Sequence, residues 1–132
     1  MNKIYDKFEY YDEIDLNKYI EGEESTKENF TLHSVVVHSG GAFSGHYYVY
    51  IKPNLNDKKW YLFNDEFVKP AEEAEVFDYQ YGGTTKNFKV MFGNVIEQTN
   101  ICDASAYILV YIKNTEREKI LTKVNENDVS LI

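Results

Sequence analysis

Cysteine is almost absent from this sequence: Cys102 is the single one, so no disulfide can form within the chain. A lone thiol is typical of a reducing compartment, and the cytosol or the nucleus is the predicted location. Two prolines and seven glycines are too few for a disordered or low-complexity chain. No apolar run approaches the roughly 20 residues of a membrane span, and the polar first residues are unlike a secretory signal.

Positive charge is also scarce, because 14 lysines and arginines stand against 22 acidic residues and give a formal net charge of −8. Nucleic-acid phosphates are bound by lysine and arginine, so no nucleic-acid partner is expected. An acidic surface permits a basic protein partner, although it usually only aids solubility. The sequence contains no glycine-rich phosphate-binding motif, and we predict no cofactor.

Histidine occurs three times, as His33, His38 and His46. His33 and His38 lie five residues apart on a predicted strand and would therefore face opposite sides. No cysteine pair accompanies the histidines, so the sequence predicts no metal site.

Aromatic residues, by contrast, are plentiful, and 12 tyrosines and 8 phenylalanines favour β-sheet. The residue pattern predicts an antiparallel meander of strands at 30–38, 46–52 and 59–63, followed by a short strand at 67–68. A buried strand is predicted at 104–113, where the chain is most apolar. Weaker patterns predict strands at 3–10 and 88–92, the latter within the ambiguous stretch 84–103.

Helices are predicted to be few and short. Leu16, Tyr19 and Ile20 have the spacing of one or two helical turns. Pro70 is predicted to open a helix that Gly82-Gly83 end. A last helix is predicted from Asn114, with Thr115 and Glu118 as a capping box and Ile120, Leu121 and Val124 as its apolar face. Loops are predicted at 21–29 and 39–45 and a turn at 53–57. These elements predict an α+β fold, a mostly antiparallel sheet with short flanking helices.

Catalytic chemistry is suggested by two neighbouring predicted strands. His46 follows Gly45 at the start of one strand, and Asn64-Asp65 end the next. An imidazole beside a carboxamide or carboxylate is two thirds of a Cys-His-Asn/Asp triad. The alternatives are a half-buried strand histidine and an ordinary turn signal at Asn64-Asp65. The spacing alone does not decide between these interpretations.

Cys102 is a weak candidate for the missing nucleophile. A nucleophilic cysteine is expected beside the histidine and at a helix N-terminus. Cys102 instead precedes a predicted buried strand and is followed by Asp103. We therefore favour a structural thiol.

The ordered motifs resemble those of the ubiquitin-specific proteases, papain-like cysteine proteases that cleave after the C-terminal glycine of ubiquitin. The family's histidine box is matched here by Val35–Gly40 and Ser44–Tyr50. Its Trp and Phe-(Asp/Asn)-Asp motif is matched by Trp60–Asp65, and its closing aromatic strand by Ser105–Tyr111. The herpesvirus-associated member looks closest, because 4–10 and Tyr81-Gly82-Gly83 are also similar to it.

The resemblance implies that residues 1–132 are the C-terminal part of such a catalytic domain, without the half that carries the catalytic cysteine. His46 would be the general base, Asn64 its orienting partner, where the closest relative has Asp, and Asp65 a supporting acid. Residues 39–44 would form a blocking loop over the ubiquitin tail. The implied substrate contacts are His38, Ser39, Gly40, Gly45, Tyr47 and Tyr81. Implied partners are ubiquitin, ubiquitinated proteins and the N-terminal half of the same catalytic domain.

Three functional hypotheses follow. The first is a thiol-protease deubiquitinase of which this chain is a part, inactive on its own. The second is a non-catalytic ubiquitin-binding or scaffolding protein that retains the fold. The third is an unrelated β-rich binding domain.

Overall fold

The computed structural model describes residues 2–21 and 29–122. The elements of this part of the chain are β1 (Glu13–Asp15), a 3₁₀ turn (Asn17–Tyr19), β2 (Asn29–Gly40), β3 (Gly45–Ile51), β4 (Trp60–Asn64), β5 (Phe67–Ala71), α1 (Glu73–Phe77), β6 (Thr84–Met91), β7 (Asn94–Ile101), β8 (Ser105–Lys113), a second 3₁₀ turn (Asn114–Glu116) and α2 (Arg117–Ile120). Strands dominate and the helices are short, so the predicted α+β class with a mostly antiparallel sheet is confirmed.

The 12-residue strand β2 is the centre of a six-stranded antiparallel sheet. β8 pairs along one edge of β2, and β1 and β3 pair with successive parts of the other edge. β4 and β5 continue the sheet beyond β3. The predicted meander is therefore confirmed. Its register places Tyr50 opposite both Val35 and Leu62, which fixes the side chains that share a face.

The hydrophobic core covers one face of this sheet. Its fully buried members on β2 are Leu32, Val35 and Val37, beside Tyr50 and Trp60 of the next two strands. The N-terminal segment and α1 cover this face. The two are joined to each other by the Tyr10 hydroxyl, which donates to the Val76 carbonyl at 2.5 Å. Burial of large apolar side chains is the main force that holds such a sheet and its cover together.

The predicted burial of β8 is wrong for most of the strand. Ile112 is buried, but Tyr107, Ile108 and Val110 are exposed. An apolar run is buried on both faces only where both faces are covered. The described residues cover one face, and the opposite face of β8 is open.

The helix predicted from Pro70 is also wrong at its start. Pro70 lies in β5 opposite Tyr61, where an edge strand tolerates its missing N–H. α1 begins at Glu73 and ends at Phe77, well before Gly82-Gly83. Beyond the helix the chain bonds to β8, where the Gln80 carbonyl accepts from the Ala106 N–H at 2.9 Å.

The N-terminal segment is extended, yet it forms no regular strand at the predicted residues 3–10. Phe8 N–H donates to the Tyr81 carbonyl and Gly83 N–H to the Tyr5 carbonyl, both at 2.8 Å. The helical prediction near Tyr19 is confirmed only as the first 3₁₀ turn. Of the predicted loop at 21–29, residues 22–28 lie outside the described residues, and Asn29 already belongs to β2.

The last predicted helix is reduced to a 3₁₀ turn and the single turn of α2. No side chain caps either element, so the capping box of Thr115 and Glu118 is wrong. Ile120 is exposed, and Val124 lies outside the described residues.

The ambiguous stretch forms a second, two-stranded sheet of β6 and β7. Phe92 and Gly93 connect the strands, with φ of +51° and +79°, as in the two-residue turns whose central residues both have positive φ. The predicted strand at 88–92 lies within β6 except for Phe92, and the sequence analysis missed β7. Within residues 2–21 and 29–122, no helix has the length and apolarity needed to cross a membrane.

Candidate active site

His46 and Asn64 meet at the end of the core face of the sheet. The register that pairs Tyr50 with Leu62 puts His46 of β3 and Asn64 of β4 on the same face, where strands alternate their side chains. His46 Nε2 lies 2.5 Å from Asn64 Oδ1. An amide oxygen only accepts, so Nε2 carries the proton and Nδ1 keeps its lone pair. This is the tautomer that a general base requires.

Asp65 is peripheral to this pair. It occupies the two-residue turn between β4 and β5 with φ of +51°, a conformation that Asp and Asn tolerate better than most residues. Its Oδ2 lies 3.9 Å from His46 Nε2, and its side chain is 75% exposed. A charge that is so exposed is screened by water and acts weakly on the ring. Asp65 thus belongs to a turn, while Asn64 ends β4, and both lie beside the imidazole.

A buried polar network supports the strand behind His46. The Tyr48 ring lies 6.2 Å from the His46 ring, and its hydroxyl donates to Gln80 Oε1 at 2.9 Å. Gln80 Nε2 donates to the Tyr50 hydroxyl at 3.3 Å and to the Glu75 carbonyl at 3.1 Å. Burial raises the pKa of Tyr48, and it raises that of Tyr50 to about 12, so both hydroxyls stay protonated at neutral pH. Sequence analysis missed Gln80, for which no local pattern gives a signal.

The loop before His46 is shorter than predicted. Ser39 and Gly40 belong to β2 and Gly45 to β3, so only residues 41–44 form the turn. Gly40 has φ of +107°, and a Cβ there would lie 2.8 Å from the Ser44 carbonyl oxygen. A Cβ at Gly45 would lie 2.1 Å from His38 Nε2. Both glycines are therefore required by close packing, and the blocking role of this loop stays a prediction.

The predicted substrate-contact residues do not share one face. Ser39 pairs with His46 and lies on its face, and its hydroxyl donates to Asp103 Oδ1 at 3.4 Å. His38 pairs with Tyr47, and strand alternation places both on the opposite face. There their rings lie 4.6 Å apart, beside Tyr107. The structure brings His46, Asn64, Asp65 and Ser39 together but leaves His38 and Tyr47 apart from them.

Tyr81 is held by the N-terminal segment. It forms an isolated bridge with Ser105, and its hydroxyl donates to the Tyr10 carbonyl at 3.1 Å. Its ring meets that of Tyr10 edge to face at 5.0 Å. These contacts give Tyr81 a structural role within the chain. Its contact with substrate stays a prediction.

Lys3 is a further residue that sequence analysis missed. Its ammonium donates to the carbonyls of His38 and Gly40, each at 3.0 Å, and to that of Asp103. Burial lowers the pKa of Lys3, and the Asp103 charge opposes this effect. The three donors of one ammonium thus hold the end of β2 that leads into the turn before His46.

Replacing Lys3 by methionine is expected to loosen that turn. Loss of charge-assisted hydrogen bonds at a partly exposed site is worth about 1 kcal/mol, so amide hydrogen exchange at 39–45 should rise about fivefold. Mass spectrometry of the exchanging chain measures this. Lys7→Met is the matched control, because Lys7 of the same segment pairs with Glu9 at the surface. Equal exchange in the two variants would contradict the role of Lys3.

Cys102 is linked to the backbone near Tyr81 and not to the imidazole. Its N–H donates to the Gly83 carbonyl at 2.9 Å, and its side chain is half-buried. Within the described residues, no hydrogen bond joins Cys102 to His46. A structural thiol remains our prediction.

Comparison with known proteins decides the family. The sequence model of the ubiquitin carboxyl-terminal hydrolases matches residues 1–111. The chain belongs to this family. The predicted family is thus confirmed, and which member is most similar to the chain stays a prediction.

Relatives in plants, insects and yeast align with nearly the whole chain. Ubiquitin C-terminal hydrolase 12 of Arabidopsis thaliana is 38% identical in an alignment of 138 positions that covers 98% of this chain and 12% of that protein. Ubiquitin carboxyl-terminal hydrolase 7 of Drosophila melanogaster is 34% identical over 97% of this chain. Ubiquitin carboxyl-terminal hydrolase 15 of Saccharomyces cerevisiae is 35% identical over 98%. The chain spans only 10–12% of the length of these three hydrolases.

A solved structure of the SAGA DUB module, with Ubp8, Sgf11, Sus1 and Sgf73, contains a chain of similar fold. The TM-score is 0.55 at 22% identity, and the match covers 86% of this chain and 20% of the other. At that identity the likeness concerns the fold alone, and it agrees with the predicted papain-like fold.

Proposed function

We propose that this chain supplies the general base of a cysteine-type deubiquitinase. The contact of His46 Nε2 with Asn64 Oδ1 carries the proposal, because it leaves Nδ1 as a proton acceptor in a fixed orientation. Membership of the ubiquitin carboxyl-terminal hydrolases supports ubiquitin and ubiquitinated proteins as the substrates. Asp65 is the outer, solvent-screened member of the set.

The nucleophile in this proposal is a cysteine outside the 132 residues. Two observations support this: the chain spans about 12% of a relative's length, and among the described residues no hydrogen bond joins Cys102 to His46. Residues 1–132 are then the C-terminal part of the catalytic domain, and its N-terminal half is their packing partner. The lone cysteine suits a location in the cytosol or the nucleus.

The proposed reaction has two steps, the transfer of the ubiquitin acyl group to the cysteine and its transfer to water. The thiol proton moves to His46 Nδ1 while sulfur attacks the carbonyl carbon of the last ubiquitin glycine. The C–N bond of the isopeptide breaks, and His46 returns the proton to the departing lysine amine. Water then attacks the thioester, with His46 again taking the proton, and releases the ubiquitin carboxylate and the thiol. Asn64 keeps the ring in one tautomer through both steps.

The substrate tail is proposed to lie along the turn at 41–44. Gly40 and Gly45 have no room for a Cβ, so the backbone there is packed as closely as it can be. The two glycines at the end of ubiquitin have no side chains that would clash with such a wall. Ser39 lies on the His46 face, and His38, Tyr47 and Tyr81 are proposed as more distant contacts.

A graft tests the proposal. The matching segment of the Arabidopsis ubiquitin C-terminal hydrolase 12 is replaced by this chain, and the same hydrolase with the segment deleted gives the baseline. Release of aminomethylcoumarin from ubiquitin-aminomethylcoumarin well above that baseline is expected. A folded graft that binds ubiquitin without hydrolysis would favour the scaffolding alternative.

The isolated chain is a separate test of where the nucleophile lies. No hydrolysis of the same substrate is expected from the purified 132 residues. Hydrolysis that disappears in a Cys102→Ala variant would instead identify Cys102 as the nucleophile and overturn this part of the proposal.

A further inference from the structure

The hairpin of β6 and β7 stands apart from the main sheet. Its two strands pair with each other from Thr84↔Ile101 to Met91↔Asn94, and neither pairs with another strand in the described part of the chain. Almost all of its side chains are exposed. A single two-stranded hairpin is marginally stable in water and gains from a covered face.

One face of this hairpin carries most of its apolar side chains and is called the apolar face. The strand register puts Phe88, Val90 and Val95 on the same side, with Ile101 at the stem and Phe92 in the turn. Phe88, Val90 and Val95 are 68%, 73% and 69% exposed, and Phe92 is almost wholly so. The other face is more polar: it carries Thr85, Asn87, Lys89, Asn94, Gln98 and Asn100, and its apolar members are Met91 and Ile96. An exposed apolar patch of this kind on a polar hairpin marks an interaction surface.

The charges on the apolar face are self-complementary. Lys86 and Glu97 lie on that face in two neighbouring pairs of the same face, Lys86↔Thr99 and Phe88↔Glu97, and their side chains form an ion pair at 2.5 Å. A two-fold axis between these two rungs would set Lys86 of each hairpin against Glu97 of the other. The same axis would set Ile101 of each hairpin over the Val90–Val95 pair of the other. An isologous interface requires this kind of reciprocity.

We propose that the β6–β7 hairpin is a dimerisation surface that binds the hairpin of a second copy of this chain. The apolar faces pack against each other, and reciprocal Lys86–Glu97 pairs fix the register. This role is independent of the proposed catalysis.

Sedimentation of the 132-residue chain between about 10 and 300 µM tests the proposal. A monomer–dimer equilibrium is expected, and Val90→Glu should raise its dissociation constant about tenfold or more. Val110→Glu is the control, because Val110 is an exposed valine on the open face of β8. Circular dichroism verifies that both variants keep the fold. A monomer throughout, or a dimer that only Val110→Glu weakens, would overturn the proposal.

Charge reversal tests the register. Lys86→Glu leaves two acids on the apolar face and Glu97→Lys leaves two lysines, so each variant alone should dimerise more weakly. An equimolar mixture should recover dimer formation, because only the contacts between unlike chains become complementary. In a mixture of Lys89→Glu with Glu97→Lys, which has the same net charges, Lys89→Glu should dimerise with itself, because Lys89 lies on the other face, and the Glu97→Lys chain should gain no dimer formation. Equal behaviour of the two mixtures would overturn the reciprocal pairing.

Discussion

Replacing His46 by alanine in the grafted Arabidopsis hydrolase is expected to lower kcat about 10³-fold, with KM for ubiquitin-aminomethylcoumarin little changed. General-base catalysis contributes about 10²–10⁴ to such rates, and the ring contacts the reacting proton rather than the bulk of ubiquitin. The geometry supports this split, since Nε2 is engaged by Asn64 at 2.5 Å and Nδ1 is left for the thiol. The measurement is steady-state hydrolysis with kcat and KM determined separately.

His33→Ala is the matched control for this experiment. His33 is also a histidine of the main sheet, but it lies at the irregularity of β2 between Leu32 and Ser34, away from the end that carries His46. Its loss should change kcat by no more than a few fold. A His46→Ala graft with the kcat of the His33→Ala graft would refute the assignment of the base.

Asn64 variants separate orientation from proton transfer. Asn64→Leu removes the acceptor that fixes the tautomer, so kcat should fall about 10²-fold, less than for His46→Ala. Asn64→Asp keeps an acceptor oxygen and should retain most of the activity. The nitrogen chemical shifts of the His46 ring in the isolated chain report the tautomer directly. An unchanged tautomer in Asn64→Leu would show that another group orients the ring.

The pair of His46 and Asn64 could be predicted because its geometry is local. β-Branched and aromatic runs identify β2, β3 and β4, and the short connections between them make the strands antiparallel neighbours. Alternation along paired strands then decides which side chains meet. The same rule separates His38 and Tyr47 from His46, a consequence that the resemblance by itself does not show.

Sequence patterns were ambiguous where one residue type suits two structures. Pro70 fits the first turn of a helix and also an edge strand, and only the pairing with Tyr61 decides between them. Burial of β8 was unpredictable for a related reason. An apolar strand does not reveal how many layers cover it, and the described residues cover one face.

Contacts between distant parts of the chain gave no sequence signal at all. Lys3, Gln80 and Asp103 support the neighbourhood of His46 through bonds to residues far along the chain. Lys3 begins the alternating stretch 3–10, but that alternation does not show where its ammonium binds, and neither Gln80 nor Asp103 stands at a motif spacing. Such contacts depend on the complete fold, so they become visible only in three dimensions.

The largest expected loss of stability comes from Asp12→Ala. Lys52 is only 2% exposed, and its Nζ lies 2.5 Å from Asp12 Oδ1 and 5.0 Å from the centre of the Trp60 ring. Removal of the carboxylate leaves a buried ammonium without its counter-charge. The free energy of unfolding should fall by about 3 kcal/mol, as measured by urea denaturation of the isolated chain.

The double variant Asp12→Ala/Lys52→Met should recover most of that loss. Methionine keeps the apolar stem that packs beside Trp60 and removes the charge that the core cannot solvate. Lys52→Met alone should cost about 1 kcal/mol, because Asp12 is 30% exposed and water can solvate its carboxylate. The exposed pair of Lys7 and Glu9 is the control, and Lys7→Met should leave the free energy of unfolding essentially unchanged, because water screens an exposed ion pair.

The comparison of these three variants also shows what the Asp12–Lys52 pair contributes to the fold. Asp12 accepts the Leu32 N–H on its carbonyl at 2.7 Å, and Lys52 donates its N–H to the His33 carbonyl at 2.8 Å. The pair therefore joins the N-terminal segment to both central strands, and that segment carries Tyr10, which closes the core. If Asp12→Ala and the double variant are equally unstable, then Asp12 acts by holding the N-terminal segment in place and not by compensating the Lys52 charge. If both are as stable as the unaltered chain, the N-terminal segment is held without this pair.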